Sequence, residues 1–316
     1  MELLAEGTVQ ELPCVPESIN GRGYRLIRKE REKDQPIAIY YRYPSELGIE
    51  LILGRPSRAH GCAAARAQGY HTIVAGYVGW HPLYNFADEY WGISNWNSSK
   101  ADESKKVNRA KDVDLICSTM GIDRGQLHEG PFNPNTMTFD YSLYGLPSPS
   151  SKALAIAKER AEKKKFFTLG ARTRNNGYEA RDYHAWEMLH GKLSKYGFDF
   201  YVTCPKHEAT KLPCEYIEDM IGFENHMDLE LAMYSQAVAS FTSNTGTAGL
   251  MLYGASPLVF VFGGTGGMSP GWHGVRDSLA KIPGYATKLF APEPLYGPDE
   301  VSADHALNSL AKEIGG

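Results

Sequence analysis

Between Val238 and Phe262 the chain reads Val-Ala-Ser-Phe-Thr-Ser-Asn-Thr-Gly-Thr-Ala-Gly-Leu-Met-Leu-Tyr-Gly-Ala-Ser-Pro-Leu-Val-Phe-Val-Phe. A run of strand length meets a tight polar turn (Ser243, Asn244, Thr245, Gly246). A short apolar helix follows, Gly-Ala-Ser-Pro stops it, and a second strand begins. Two strands joined by a helix make a β–α–β unit. A helix that opens in such a turn presents backbone N–H groups and the positive end of its dipole. Phosphate suits that geometry, the hydroxyls of Ser243, Thr245 and Thr247 add donors, and Gly246 lets a ligand approach the backbone. The same residues also serve as an ordinary helix cap with no ligand. On this segment alone the capping reading comes first.

The alternation of strand and helix extends through the chain. Ile37-Ala-Ile-Tyr-Tyr-Arg-Tyr43 reads as the first buried strand, residues 49–68 as a helix ending at Gly69, and His71–Tyr77 as a second strand. Residues 98–111 read as a charged helix and Val113–Cys117 as a strand. Residues 1–35, polar and then strongly charged, read as a leader packed outside the first sheet. Four prolines between 120 and 150 (Pro131, Pro134, Pro147, Pro149) break the rhythm and mark a joint. The alternation then restarts: a charged helix from Ser151 to about Lys164, a strand at Phe166–Ala171, and a helix over 181–196 closed by Gly197. A strand at Phe198–Thr203, a short helix from Asp228, a strand at Ala237–Phe241 and a last helix over Ser302–Ile314 complete the pattern. The expected fold class is α/β, with two Rossmann-like doubly wound domains facing a cleft. The first would be residues 1–150, the second 151–316.

Composition bounds the function. The 316 residues are 42% apolar, enough for two such domains, and carry a net charge of -4. That charge argues against a mainly electrostatic nucleic-acid binder, though a local basic groove is compatible with it. The basic run over 158–165 is by default a solvated face. No apolar run is long enough to span a bilayer. The Met-Glu-Leu-Leu-Ala-Glu-Gly start lacks the basic and apolar regions of a secretory signal. Five cysteines with no C-x-x-C pair argue against a disulfide framework or a zinc site. The expectation is a cytoplasmic protein with reduced thiols.

In the second half, the strand at 166–171 empties into Arg172-Thr-Arg174-Asn175-Asn176-Gly177. Ligands of open α/β sheets collect at the carboxyl ends of strands, and a guanidinium grips phosphate bidentately. The alternative is a pair of surface arginines in a polar turn. Arg172, Arg174 and Asn175 on one loop, with Ser243–Thr247 on another, would close on a diphosphate without a metal.

The order of these motifs carries a resemblance. A strand ends in Arg-x-Arg-Asn, a helix with Trp186 and a Gly-bounded strand follow, then an acidic helix (Asp228, Glu230), then Ser-Asn-Thr-Gly before a helix and Gly-x-x-Pro. Residues 165–265 thereby resemble the donor half of GT-B glycosyltransferases, in particular their heptosyltransferase and fucosyltransferase-like branches. In those, a Ser/Asn-x-Thr/Ser-Gly turn holds the nucleotide-sugar diphosphate. In the first half, Pro44-Ser45-Glu46-Leu47-Gly48-Ile49-Glu50 resembles the Leu-Gly-Asp loop of heptosyltransferase-like enzymes, with the acidic positions displaced. His81-Pro-Leu-Tyr-Asn-Phe-Ala-Asp-Glu89 is similar to a segment of uncharacterised glycosyltransferase-like proteins of bacteria and phages. The resemblance implies a base near the cleft to take the acceptor hydroxyl's proton. Glu46 is the first candidate, followed by Glu50, His81 and Asp88. Glu46 could instead cap the next helix through its dipole, and His81 could simply precede the helix-starting Pro82. The aromatic density from Tyr77 to Trp96 suits sugar stacking or a core.

Other signals are weaker. Asp112-Val-Asp114 matches the metal-binding Asp-x-Asp of another glycosyltransferase class, but it precedes its apolar run. Gly263–Gly267 lacks the Gly-Lys-Ser/Thr of a P-loop. The expected activity is therefore metal-independent transfer of a sugar from a nucleotide-sugar donor to a hydroxyl on a glycan or small molecule, with no cofactor and no metal. Three rivals remain open: a phage-type glycosyltransferase acting on hydroxymethylated DNA bases, a nucleotide-sugar epimerase, and a nucleotide-binding regulatory module with no turnover. The sequence leaves the oligomeric state undetermined.

Overall fold

The apolar runs pair into two separate six-stranded sheets. The computed structural model describes residues 6–12, 23–41, 47–94, 109–130, 142, 145–171, 182–206, 209, 211–222, 225–262, 270–291 and 300–315. The chain forms two units, Met1–Asp140 and Tyr141–Gly316.

The first unit runs β1 (Thr8–Leu12), β2 (Gly23–Ile27), β3 (Ile37–Tyr41), α1 (Leu47–Ile49), a π-helical turn (Glu50–Gly54), α2 (Arg55–Ala67) and β4 (His71–Tyr77). A 3-10 turn (His81–Tyr84), β5 (Glu89–Ser94), α3 (Arg109–Met120), a second 3-10 turn (Arg124–Gln126) and β6 (Leu127–Glu129) follow. The sheet order is β1-β2-β5-β4-β3-β6. β5, β4, β3 and β6 are parallel, whereas β2 runs antiparallel to both β5 and β1. Ile37 and Ile39 of β3 pack with Ile73, Trp91 and Ile116 of α3. Tyr40, the next residue along β3, lies against α2 at Gly61. Helices on both faces explain why β3 reads as an unbroken apolar run. Burial of each such isoleucine contributes about 1.5–3 kcal/mol.

Two expectations are corrected here. Residues 8–12 and 23–27 are not a leader outside the sheet: they are β1 and β2, joined to its antiparallel margin. Val113–Cys117 is not a strand but the middle of α3. Val113 and Ile116 are buried while Asp114 is exposed, the i, i+3 rhythm of a helix. Asp112-x-Asp114 therefore lies on that helix, and most of the 98–111 segment lies outside the described residues. The aromatic residues from Tyr77 to Trp91 are largely interior, with Tyr84, Tyr90 and Trp91 fully buried.

The second unit runs α4 (Ser151–Lys163), β7 (Phe166–Gly170), α5 (Asp182–Leu193), β8 (Asp199–Val202), β9 (Glu215–Tyr216), α6 (Ile217–Ile221) and α7 (His226–Gln236). It continues with β10 (Ala239–Ser243), α8 (Gly246–Tyr253), β11 (Leu258–Phe262), α9 (Pro270–Leu279), β12 (Lys288–Phe290) and α10 (Glu300–Ile314). All pairs are parallel, in the order β12-β11-β10-β7-β8-β9. One face buries Phe167, Leu169, Phe241 and Phe260 against Trp186 and Leu189 of α5 and Leu307 and Leu310 of α10. On α4, Ser150 caps the helix by accepting from Ala153 N, and its own N–H and hydroxyl donate to Asp228 of α7 at 2.9 and 2.7 Å. Gly197 turns the chain out of the α5 region with φ +67°, a conformation that favours glycine. Between them these contacts fix where the strand ends emerge.

Candidate functional site

In the second sheet the chain order reverses at β7. From β7 it steps outward to β8 and β9, and β10 then returns to β7's other side. Thr242 of β10 pairs with Gly170 of β7, so both strands finish side by side at one edge. This is a topological switch point, where open α/β sheets bind ligands. Gly170 is required there. A methyl group on it would sit 2.7 Å from Thr242 Oγ1 and 2.9 Å from Thr247 Cγ2. The exit of β7 is thereby packed against the start of α8. Ala171 is the last described residue of that exit; Arg172, Arg174 and Asn175 lie outside the described residues.

The β10 exit is described in full. Asn244 N donates to Phe262 O at 3.0 Å, tying the turn to the end of β11. Asn244 Oδ1 accepts from Trp272 Nε1 of α9 at 3.1 Å. Thr245 is the N-cap: its hydroxyl accepts from Thr247 N at 3.3 Å and its carbonyl from Ala248 N at 3.0 Å. The cap reading of Thr245 is thus realised. Ser243 is different. It is 1% exposed, and its hydroxyl has no hydrogen-bond partner among the described residues. A buried hydroxyl without a partner costs about 1–3 kcal/mol. The structure brings Ser243, Asn244, Thr245, Gly246 and Thr247 together beside the β7 exit.

The next exit, that of β8, carries a cluster that sequence reading missed. His226 Nε2 lies 2.6 Å from Thr203 O, and Tyr234 Oη lies 2.9 Å from Thr203 Oγ1 and bonds Glu230. Burial and the adjacent carboxylate push the Tyr234 phenol well above its ordinary value. His226, Glu230 and Tyr234 share one face of α7 at i, i+4 and i+8, which is the only sequence signal for them. The cluster braces the strand end next to β7.

In the first unit the sheet also reverses, with β6 joining β3 on the side opposite β4. Glu50 follows β3 within the π-helical turn. It is fully buried, and its Oε1 accepts from Arg58 at 2.7 Å and from the Tyr84 hydroxyl at 2.6 Å. Arg58 also donates to Tyr41 O at 2.6 Å, and Arg55 to Leu83 O at 2.9 Å. A methyl group at Gly54 would fall 2.3 Å from Glu50 Oε2. The extra residue of a π-turn swings Glu50 inward, a feature that often marks functional sites. Its ion pair with Arg58 makes it a tether rather than a free base. Glu46 lies outside the described residues.

His81 follows β4. It is 2% exposed, its Nδ1 is 2.9 Å from the Tyr24 hydroxyl, and Gly79 N donates to that same hydroxyl at 3.1 Å. Arg28 donates to His81 O at 3.0 Å. Burial first, and then the Arg28 charge, lower the imidazole to about 3. It is neutral at physiological pH and a weak base. Asp88 is elsewhere. It accepts from Thr72 N and Oγ1 at 2.8 and 2.7 Å, at the amino end of β4. Beside it, Glu89 accepts from Arg25, His71 and Trp91. Burial would raise the Glu89 carboxyl, but the bonds from Arg25, His71 and Trp91 outweigh it and hold it at about 2. The structure therefore places Glu50 and His81 after strand ends and Asp88 at the opposite edge.

Among the described residues no group of three His, Cys, Asp or Glu side chains could hold a metal ion. No helix among them is long and apolar enough to cross a membrane. No protein-family model matches the chain, and no curated protein matches it in sequence. Solved structures do resemble it. One is the ADP-heptose LPS heptosyltransferase II of E. coli, at 11% identity and TM-score 0.45 over 89% of this chain and 100% of that one. Another is a family 9 glycosyltransferase of Veillonella parvula, at 8% identity and TM-score 0.49 over 89% and 98%. A third is the E. coli heptosyltransferase WaaC with ADP, at 13% identity and TM-score 0.41 over 88% and 99%. Each of these three TM-scores is below 0.5.

Proposed function

We propose that the protein is a GT-B glycosyltransferase that moves a sugar from a nucleotide-sugar donor to a hydroxyl acceptor without a metal. The observation that carries this reading is the buried, unpartnered Ser243 hydroxyl beside the start of α8, at the switch point where β7 and β10 finish together. A diphosphate oxygen would accept from that hydroxyl and lie in the field of the helix N-terminus. Arg172 and Arg174, which follow β7 in sequence, would supply the positive charge a metal supplies elsewhere.

In the proposed reaction the acceptor oxygen attacks the anomeric carbon. The bond from that carbon to the diphosphate oxygen breaks, and the hydroxyl proton passes to a carboxylate. Glu46, which lies in sequence between β3 and α1, is the candidate base. Glu50 is held by Arg58 and Tyr84, so its role is to position the helical run that follows β3. His81 would act as a neutral hydrogen-bonding group and Asp88 as a structural one.

The test combines binding and turnover. Calorimetry with ADP, UDP and GDP should find one tight nucleotide, bound at least tenfold more weakly by Arg172→Ala, about 1.4 kcal/mol. Glu46→Gln should lower transfer at near-normal donor affinity. Transfer should persist in EDTA. No binding of any of the three nucleotides, or binding indifferent to Arg172, would overturn the donor site. Conversion of the donor with no acceptor present would identify an epimerase instead. Transfer confined to hydroxymethylated duplex DNA would give the acceptor as a nucleic acid.

A further inference from the structure

We propose that the groove between α2 and β6 in the first unit binds a neutral sugar ring. Its lining comes wholly from the first unit, on elements other than β10 and α8, and the proposal does not rest on the transfer reaction above.

β6 is a three-residue edge strand, and α2 crosses the sheet beside it. Between them lies a cavity of about 370 Å³, within the size range of small-ligand pockets. Small residues keep it hollow: Ala38, Gly61, Ala64, Ala65 and Gly130 all line it. Tyr40 forms its floor. A methyl group at Gly61 would fall 2.5 Å from Tyr40 Cε1, and one at Gly130 2.0 Å, so the two glycines hold that ring between them. Tyr70, half-buried, stands edge-on to His128, with centroids 5.1 Å apart and planes at 88°.

The lining chemistry selects the ligand class. Ser57, His60, Gln68, His128 and Glu129 present a hydroxyl, two imidazoles, an amide and a carboxylate around aromatic walls. That mixture of donors and acceptors beside ring faces suits a polyol with one apolar face. Among the described residues no lysine or arginine lines the cavity, so none of them neutralises a phosphate there. Glu129 is exposed to water, which leaves little of the desolvated attraction an organic cation would need.

Methyl α-glucoside, methyl α-galactoside and methyl α-mannoside would be titrated against the full chain by ligand-observed NMR, with choline and glycerol as controls. Ala64→Met fills the cavity from an exposed helical position with a good helix former. Glu129→Gln removes a carboxylate on an exposed edge. The expected result is saturable binding of at least one glycoside. Ala64→Met should weaken it at least tenfold and Glu129→Gln at least threefold, and nucleotide binding should be unchanged in both. Absence of binding at roughly 10 mM glycoside, well into the range where single ring contacts register, overturns the proposal. So does binding that survives Ala64→Met, or a response to choline alone.

Discussion

Replacing Ser243 by alanine removes one oxygen and leaves the backbone and Cβ in place. In most buried positions serine loses a hydrogen bond on this change, and stability falls. Here the hydroxyl has no partner among the described residues, so its removal relieves a desolvation cost of about 1 kcal/mol or more. The protein without nucleotide should therefore unfold at equal or higher urea concentration. Nucleotide binding should move the other way. A hydroxyl donating to a phosphate oxygen makes a charge-assisted bond worth about 1.5–3 kcal/mol, so the dissociation constant should rise at least tenfold. The neighbouring Thr242 is the control. Its hydroxyl lies 3.1 Å from Ser243 O and 3.4 Å from Gly170 O, both of which can accept from it. Thr242→Val should cost about 1 kcal/mol of stability and leave the dissociation constant within a factor of about three. Urea unfolding and calorimetry on the three proteins give both axes. If Ser243→Ala lowers stability by 1 kcal/mol or more and leaves affinity unchanged, the hydroxyl is structural and the ligand argument fails.

The first unit yields further expectations. His81 is held near 3 in the folded chain against an ordinary value of 6.5, so the unfolded chain takes the proton first. Its contribution is present above pH 6.5 and lost as the pH falls towards 3; at pH 5 the loss is about 2 kcal/mol. Urea midpoints at pH 7 and pH 5 should show that loss in the wild type and not in His81→Gln; equal slopes would refute it. The Glu89 contribution has a lower window, present above 4.5 and lost as the pH falls towards 2. It amounts to about 3 kcal/mol in all and is absent from Glu89→Gln. Arg58→Met removes the buried Arg58–Glu50 ion pair and should destabilise the first unit by about 3–5 kcal/mol, read by urea unfolding. A cost under 1 kcal/mol would mean that Glu50 is solvated or otherwise compensated.

The second unit was largely legible in the sequence because its strands are short apolar runs closed by glycine or proline. Phe166–Leu169 and Leu258–Phe262 are buried on both faces and could be little else. The Ser243–Thr247 turn was legible for the same reason, lying between two such signals. The first unit was harder. β1 is an exposed margin strand whose Val-Gln-Glu pattern has no apolar run to betray it. β2 is held through Arg25, whose partner Glu89 is 64 residues away, a pairing no local pattern contains. Val113–Cys117 looked like a strand because four of its five residues are apolar. The burial of Val113 and Ile116, three apart, follows a helical spacing that a nearly continuous five-residue apolar run does not reveal. Of the Thr203 cluster only the i, i+4, i+8 spacing of His226, Glu230 and Tyr234 on α7 was legible; their meeting with Thr203, after β8, was not.

The acidic pair Asp88-Glu89 shows how strand direction sorts chemistry from scaffolding. Both carboxylates lie in a segment whose likeness to glycosyltransferase-like proteins singled it out, and by residue type each is a plausible base. Yet Glu89 opens β5, and β5 runs parallel to β4 with Glu89 beside Ile73. A residue that opens a strand of a parallel sheet stands at the amino edge. His81 follows the carboxyl end of β4, and the strand from His71 to Tyr77 puts about 20 Å between the two edges. Ligand sites of such sheets form at the carboxyl edge. Glu89 also has both oxygens committed, to Arg25, His71 and Trp91, while Oδ2 of Asp88 accepts from Thr72 N and Oγ1. A carboxylate that already accepts three or more good hydrogen bonds has little capacity left to take a proton from a substrate. Edge and hydrogen bonding agree, and together they move the search for the base to the segment between β3 and α1, where Glu46 lies.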